Sequence, residues 1–259
     1  MIKNRSDIKV LILTGDGINC EVETSDAFKI FGVTTEIVPI FDLIENPKKL
    51  DGAHILALPG GFSFGDEIGS GQILALKLKY SLGEELKKFI ADKKIIIGIC
   101  NGFQALVRLG LLPDPFTNRI MSLTHNRQGH FINKWATLEL QNSKCIWTEL
   151  IDKNEFMFPI RHGEGKIVFA GDELEKRKHY DQLLLNKQIV LKYKNDENGS
   201  YEKIAGVTDT TGRIFGLMPH PEAYIYEWLN PSGSLKNDSI AIGAKVFESG
   251  ISYIEKNFN

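Results

Sequence analysis

Short apolar runs of strand length alternate with amphipathic stretches along the first part of this chain. Residues 7–13 (DIKVLIL), 34–39 and 54–58 read as strands, and a helix is expected from about Cys20 to Ile30, with Gly32 after it. Gln72 to Tyr80 and Gly83 to Asp92 carry helical patterns. The β-branched run Lys94 to Ile99 predicts a buried strand, followed at once by a helix over Asn101 to Leu109 that Gly110 can end in the left-handed conformation. Strands alternating with helices predict an α/β fold with a flavodoxin-like, mostly parallel central sheet flanked by helices.

After Gly110 the pattern changes. Residues 112–134 hold prolines, asparagines and a glycine without a clear period, so a long loop or small excursion is expected there. Trp135 to Leu140 alternates as a strand, and Met157 to Phe169 holds a turn leading into another. Asp172 to Lys187 has helical charge spacing. Ile189 to Tyr193 and Ile204 to Asp209 flank a connection containing Asn198-Gly199, which suits an antiparallel hairpin and hence an antiparallel extension of the sheet. Arg213 to Leu217 reads as a further strand and Ser239 to about Lys256 as an amphipathic helix. A chain of 259 residues can bury one large core, so a single domain spanning 1–259 is expected.

Charge removes two classes of partner. Lysines and arginines number 31 against 33 acidic residues, with no basic run interleaved with aromatics, so neither nucleic acid nor a membrane surface is expected to bind. No apolar run reaches spanning length and the first residues lack a signal-peptide core, which predicts a soluble, cytoplasmic protein. The three cysteines, Cys20, Cys100 and Cys145, are well separated and lack metal-ligand spacing, so no metal or disulfide is expected.

Cys100 carries the chemistry. It stands on the turn between a buried strand and a helix, with Gly98 and Gly102 two residues to either side, the spacing of a nucleophile elbow. The unpaired N–H groups of a helix's first turn favour the thiolate, which is the nucleophilic form. The loop Pro59-Gly60-Gly61-Phe62-Ser63-Phe64-Gly65-Asp66 follows an earlier strand. The main-chain N–H of Gly61 could join that of Asn101 as an oxyanion hole. A base is supplied by Met218-Pro219-His220-Pro221-Glu222, where the carboxylate two residues on can fix the imidazole's tautomer and the prolines hold its backbone. His162 competes for that role, since Glu164 follows it in a glycine-rich turn, but the prolines and strand-end position favour His220. Cys20 lacks flanking glycines and competes less well as nucleophile. Gly15 and Gly17 form a loop without the third glycine or lysine of a phosphate cradle, and a tight turn is expected there.

The elbow GICNGFQ, the loop LPGGFSFGD and the terminal GLMPHPE together resemble the class I glutamine amidotransferases. Added to GDGINCE near the start and PIRHGEG, they most resemble the glutaminase subunits of phosphoribosylformylglycinamidine synthase. The resemblance implies that Cys100 attacks the side-chain amide of glutamine, with His220 as acid and base and Glu222 orienting it. It implies Gly60, Gly61 and Asn101 at the oxyanion hole, Gln104 beside the glutamine pocket, and His162 and Glu164 near the substrate or an interface. It also implies a synthetase subunit as partner, with room for a small accessory subunit. No cofactor is implied in this chain; ATP and magnesium are expected on the synthetase. Two positions depart from the pattern: Ala223 follows His-Pro-Glu, and Lys134 precedes Trp135, where the family commonly has arginine. A cysteine peptidase or glyoxalase-like enzyme would share the elbow but place its histidine differently. A non-catalytic binding module would not need the intact Cys100, His220 and Glu222 set.

Overall fold

The computed structural model describes residues 2–231, 233 and 239–258. Eleven strands occur among them: β1 (Lys9–Thr14), β2 (Thr34–Pro39), β3 (Ile55–Leu58), β4 (Ile95–Ile99), β5 (Met121–Thr124), β6 (Ile132–Leu140), β7 (Glu155–His162), β8 (Lys166–Phe169), β9 (Ile189–Tyr193), β10 (Ile204–Thr208) and β11 (Ile214–Leu217). The helices are α1 (Glu21–Lys29), α2 (Ile40–Glu45), α3 (Lys49–Gly52), α4 (Gln72–Ala91), α5 (Asn101–Leu109), α6 (Glu173–Leu185) and α7 (Ile242–Asn257).

Nine strands form one sheet in the order β2-β1-β3-β4-β11-β10-β9-β6-β7. The half from β2 to β11 is parallel, and from β11 onward every neighbour is antiparallel. The flavodoxin-like parallel half and the antiparallel extension match the sequence expectation. β3 and β4 are buried at every position, as strands covered on both faces must be, which is why they read as unbroken apolar runs. Gly110 closes α5 at φ 80°, and Asp172 opens α6 by accepting from the Glu175 N–H in a capping box.

Two expectations change. Gln72 to Tyr80 and Gly83 to Asp92 are not two helices: α4 runs through both, with Leu82 alone leaving helical geometry next to Gly83. The segment 112–134 is not loop throughout, because β5 lies inside it and pairs antiparallel with β8 as a separate two-stranded sheet, while β6 already starts at Ile132. The short helices α2 and α3 after β2 carry too few residues to show a period. No helix among the described residues is long and apolar enough to cross a membrane.

The parallel half sets the position of the chemistry. Cys20, Gly60, Cys100 and His220 follow β1, β3, β4 and β11, so all four lie beyond the carboxyl edge of neighbouring parallel strands, where open α/β sheets bind ligands.

Candidate active site

Cys100 sits at φ 51°, ψ −105°, a conformation that a side-chain-bearing residue adopts only when its surroundings hold it there. The surroundings are tight. A Cβ on Gly102 would lie 1.9 Å from the Leu58 carbonyl oxygen. One on Gly98 would lie 2.5 Å from Leu106 Cδ1 and 2.7 Å from the Gly102 carbonyl oxygen. The two glycines therefore let α5 cross β3 and β4 at the distance the elbow requires, and the Cys100 N–H donates to Leu217 O at 2.8 Å, tying the turn to β11.

β11 then delivers His220 beside it. His220 Nδ1 meets Glu222 Oε1 at 2.5 Å, both side chains are buried, and the His220 N–H donates to Pro159 O at 2.8 Å. Pro221 begins a one-turn helix to Ala223 that presents Glu222 back toward the ring. Burial opposes a charge on the imidazole, but the Glu222 carboxylate and then the Cys100 thiol outweigh it and raise the His220 pKa well above 6.5. Nε2, the nitrogen left for proton transfer, makes no hydrogen bond. The Cys100 thiol instead donates to Arg161 O at 3.6 Å.

Gly60 packs against these groups without room for a side chain. A Cβ there would stand 2.8 Å from His220 Cε1, 3.3 Å from Cys20 Sγ and 3.5 Å from Cys100 Cβ. Gly61 is at φ 144° and bridges to Ile18, where a Cβ would stand 2.7 Å from both Gly17 O and Ile18 Cα. Asn101 holds the rest of the loop through its side chain. Its Oδ1 accepts from the Ser63 N–H at 3.3 Å, and its amide donates to Asp66 Oδ1 at 3.0 Å and Gln104 Oε1 at 3.1 Å. Gln104 in turn donates to Glu164 O at 2.5 Å. Asn101 and Gln104 thus brace the glycine loop and the 159–165 turn against α5. A cleft of about 100 Å³ is lined by Asn19, Cys20, Gly61, Phe62, Cys100, Phe131, Arg161 and His220, with Gln104 outside it.

His162 is built differently from His220. Its Nδ1 meets Asn126 Oδ1 at 3.0 Å, and the Asn126 amide donates to His162 O at 2.7 Å. Glu164 turns away to accept from the Ser70 N–H at 3.3 Å and to approach His125 at 3.8 Å. Asn126 Oδ1 fixes the His162 tautomer, but with an amide oxygen in place of a carboxylate the ring lacks the negative charge that would stabilise an imidazolium. Desolvation first, and the charge on His220 second, lower its pKa to about 4. The unfolded chain takes up this proton near 6.5, whereas the folded chain resists it until about 4. The resulting stability is full above 6.5 and is lost as pH falls from 6.5 to 4, by about 3 kcal/mol. Urea unfolding of His162→Asn across that window is expected to show a shallower loss than wild type; equal slopes would mean that folded His162 protonates freely.

Cys20 is the residue that sequence reasoning placed outside the site. The Cys20 N–H donates to Gly60 O at 3.3 Å, and its thiol reaches the His220 ring. The available signal was topological, since a strand order with β1 beside β3 must bring the loop after β1 against Gly60. Lys134, the departure noted in the sequence, pairs with the buried carboxylate of Glu197, while Trp135 packs edge-on against Tyr224 at 5.1 Å.

Residues 7–254 match the CobB/CobQ-like glutamine amidotransferase domain family. The phosphoribosylformylglycinamidine synthase subunit PurQ of Methanococcus maripaludis is 40% identical over 274 residues, covering 96% of this chain and 98% of that protein. The corresponding subunit PurQ of Dehalococcoides mccartyi is 37% identical over 264 residues, covering 96% and 98%. Among solved structures, a chain of PurLQS from Thermotoga maritima superposes with a TM-score of 0.74 at 32% identity, covering 96% of this chain and 99% of that one. With an elbow cysteine, a histidine held by a carboxylate and a two-glycine loop meeting at the carboxyl edge of the sheet, the chain belongs to the glutamine amidotransferases, and within them to the PurQ family of phosphoribosylformylglycinamidine synthase subunits.

Proposed function

We propose that this chain is the glutaminase of a phosphoribosylformylglycinamidine synthase. It hydrolyses glutamine to glutamate and ammonia, and a synthetase partner uses the ammonia to convert formylglycinamide ribonucleotide to formylglycinamidine ribonucleotide in purine biosynthesis. The observation that carries the reading is the placement of Cys100 against the His220–Glu222 pair under the glycine loop. Cys100 Sγ attacks the amide carbon while His220 Nε2 takes the thiol proton. The tetrahedral oxyanion is met by the N–H groups of Gly61 and Asn101. The imidazolium returns the proton to the leaving nitrogen, ammonia departs, and a glutamyl thioester remains. Water, deprotonated by His220, then releases glutamate and restores the thiol. Glu222 keeps Nδ1 protonated throughout. The sheet that carries every one of these residues supports reading 1–259 as one amidotransferase domain.

The ATP-dependent step belongs to the synthetase, where ATP and magnesium are expected. That the Thermotoga maritima relative was solved as PurLQS supports such a partner, and the third component fits a small accessory subunit. Phe62 and Phe131 stand at the mouth of the cleft, 44% and 47% exposed with ring centroids 6.1 Å apart, and Ile68 is 77% exposed. These residues lie in the two stretches, Phe62 to Ile68 and Leu123 to Trp135, that best suit partner docking. The Cys100 thiol donates to Arg161 O and His220 Nε2 makes no hydrogen bond of good geometry, although the ring lies within reach of the Cys100 and Cys20 thiols, so nucleophile and base are close but not aligned. Docking would shift the loop population toward the engaged state. Glutaminase turnover is expected to rise at least about fivefold when the synthetase, its nucleotide substrate and ATP are added. Full activity in the isolated chain, unchanged by those additions, would overturn this gating.

A further inference from the structure

Ser70 touches none of the reacting groups, yet every polar group it has is held, and the residue is 4% exposed. Its hydroxyl donates to Asp66 Oδ2 at 2.9 Å, its N–H donates to Glu164 Oε2 at 3.3 Å, and its carbonyl oxygen accepts from Arg108 Nε at 2.7 Å. Arg108 also donates to Gln72 Oε1 at 2.7 Å, and the Glu164 and Asp66 carboxylates both favour its charge. The loop around Ser70 is strained. Phe64, Asp66 and Ile68 stand at φ 54°, 53° and 57°, in the left-handed region that side-chain-bearing residues, and a β-branched isoleucine above all, adopt only when their surroundings hold them. Gly71, at φ 69°, lets this loop rest directly on α5, since a Cβ there would lie 2.8 Å from Ala105 N.

The two carboxylates that Ser70 joins lead to the two halves of the active site. Asp66 Oδ1 accepts from the side-chain amide of Asn101, the residue whose main-chain N–H faces the oxyanion. Glu164 belongs to the 159–165 turn, where Arg161 O receives the Cys100 thiol and Glu164 O receives the Gln104 amide. From this convergence we propose that Ser70 is a positioning residue, holding the oxyanion loop through Asp66 and the 159–165 turn through Glu164 in a single register. Charge on the substrate oxygen develops only as sulfur attacks, so a shift in that register weakens the transition state far more than it weakens bound glutamine. The loss therefore falls on kcat rather than KM. Its effect on rate rests on the glutaminase reading; the link between the two segments does not, and is measured separately.

Ser70→Ala removes the hydroxyl arm and Glu164→Ala the carboxylate arm. In the complex with the synthetase, its nucleotide substrate and ATP, each variant is expected to lower kcat about fivefold or more while KM for glutamine stays within about twofold of wild type. Glutamate γ-aldehyde, whose adduct with Cys100 places an oxygen where the oxyanion forms, is expected to inhibit each variant more weakly by a similar factor. Hydrogen exchange of the isolated chain, read by mass spectrometry without substrate, is expected to quicken about fivefold or more in both 61–66 and 159–165, whichever arm is removed. Far-ultraviolet dichroism checks that each variant is folded. Unchanged kcat in both variants would overturn the proposal, as would a loss that falls on KM alone. Faster exchange confined to the segment that each removed arm touches would overturn it too. A wild-type complex that hydrolyses no glutamine would overturn the functional reading, and the exchange pattern would then decide by itself whether Ser70 joins the two segments.

Discussion

Replacing Cys100 by serine is expected to reduce glutamine-dependent amidation by the complex by more than about a thousandfold while leaving amidation from added ammonia intact. Serine fits the elbow, because the backbone at φ 51° is held by β3, β4 and α5 rather than by sulfur. A hydroxyl, however, gives up its proton far less readily than a thiol, so almost no nucleophile is present at neutral pH. On the proposed function, the ammonia reaction uses chemistry on the synthetase and does not pass through this chain. The measurement is steady-state product formation with glutamine and, separately, with ammonium at a pH where free ammonia is appreciable. Glutamine use within a few-fold of wild type would show that Cys100 is not the nucleophile. Loss of both activities would point instead to failed assembly.

His220→Asn is expected to lower glutaminase turnover about a hundredfold or more, and His162→Asn to lower it less. The two histidines are both buried and stand near one another, so burial does not separate them. What separates them is the partner on the ring: a carboxylate at 2.5 Å for His220, an amide oxygen at 3.0 Å for His162. Only the carboxylate stabilises the imidazolium that forms when a thiol proton is accepted, and it shows in the opposite shifts of the two groups. Turnover of the folded variants in the presence of the partner decides the matter. A larger loss for His162→Asn would transfer the base to the 159–165 turn.

The strands that the sequence made legible are those whose burial leaves no choice of residue. β3 and β4 are covered on both faces and are uniformly apolar, so their runs stand out. β5 did not stand out because it has four residues, only two of them buried, and depends on pairing with β8 far along the chain. The interruption at Leu82 with Gly83 behind it reads locally as a helix end, but Leu78, Leu82, Leu86 and Phe89 are buried on both sides of it and α4 packs against α5, so the helix continues through. The catalytic candidates followed the same division. The Cys100 elbow and the His220–Glu222 pair are each encoded within a few residues, so local chemistry reveals them. Cys20 enters the site through the neighbourhood of β1 and β3, and His162 is set by a hydrogen bond to Asn126, so neither placement is written in the residues beside it.

The position of β11 bears on how the chain can be made. It lies between β4 and β10, at the middle of the sheet, although its residues are synthesised long after those of β4. As the polypeptide leaves the ribosome, β4 can pair with β3 on one side while its other edge, formed by Ile96 through Ile99, waits for Ile214 to Leu217. A waiting apolar edge invites pairing with other chains, and such long-range closure is slow. Nascent chains are therefore most prone to aggregate in the interval between the emergence of β4 and that of β11, and this interval is where chaperone protection matters most. The same delay keeps unfinished polypeptides catalytically silent. A message truncated before Ile214 yields an elbow cysteine without its histidine, so an unfinished chain lacks the base that thiol activation needs.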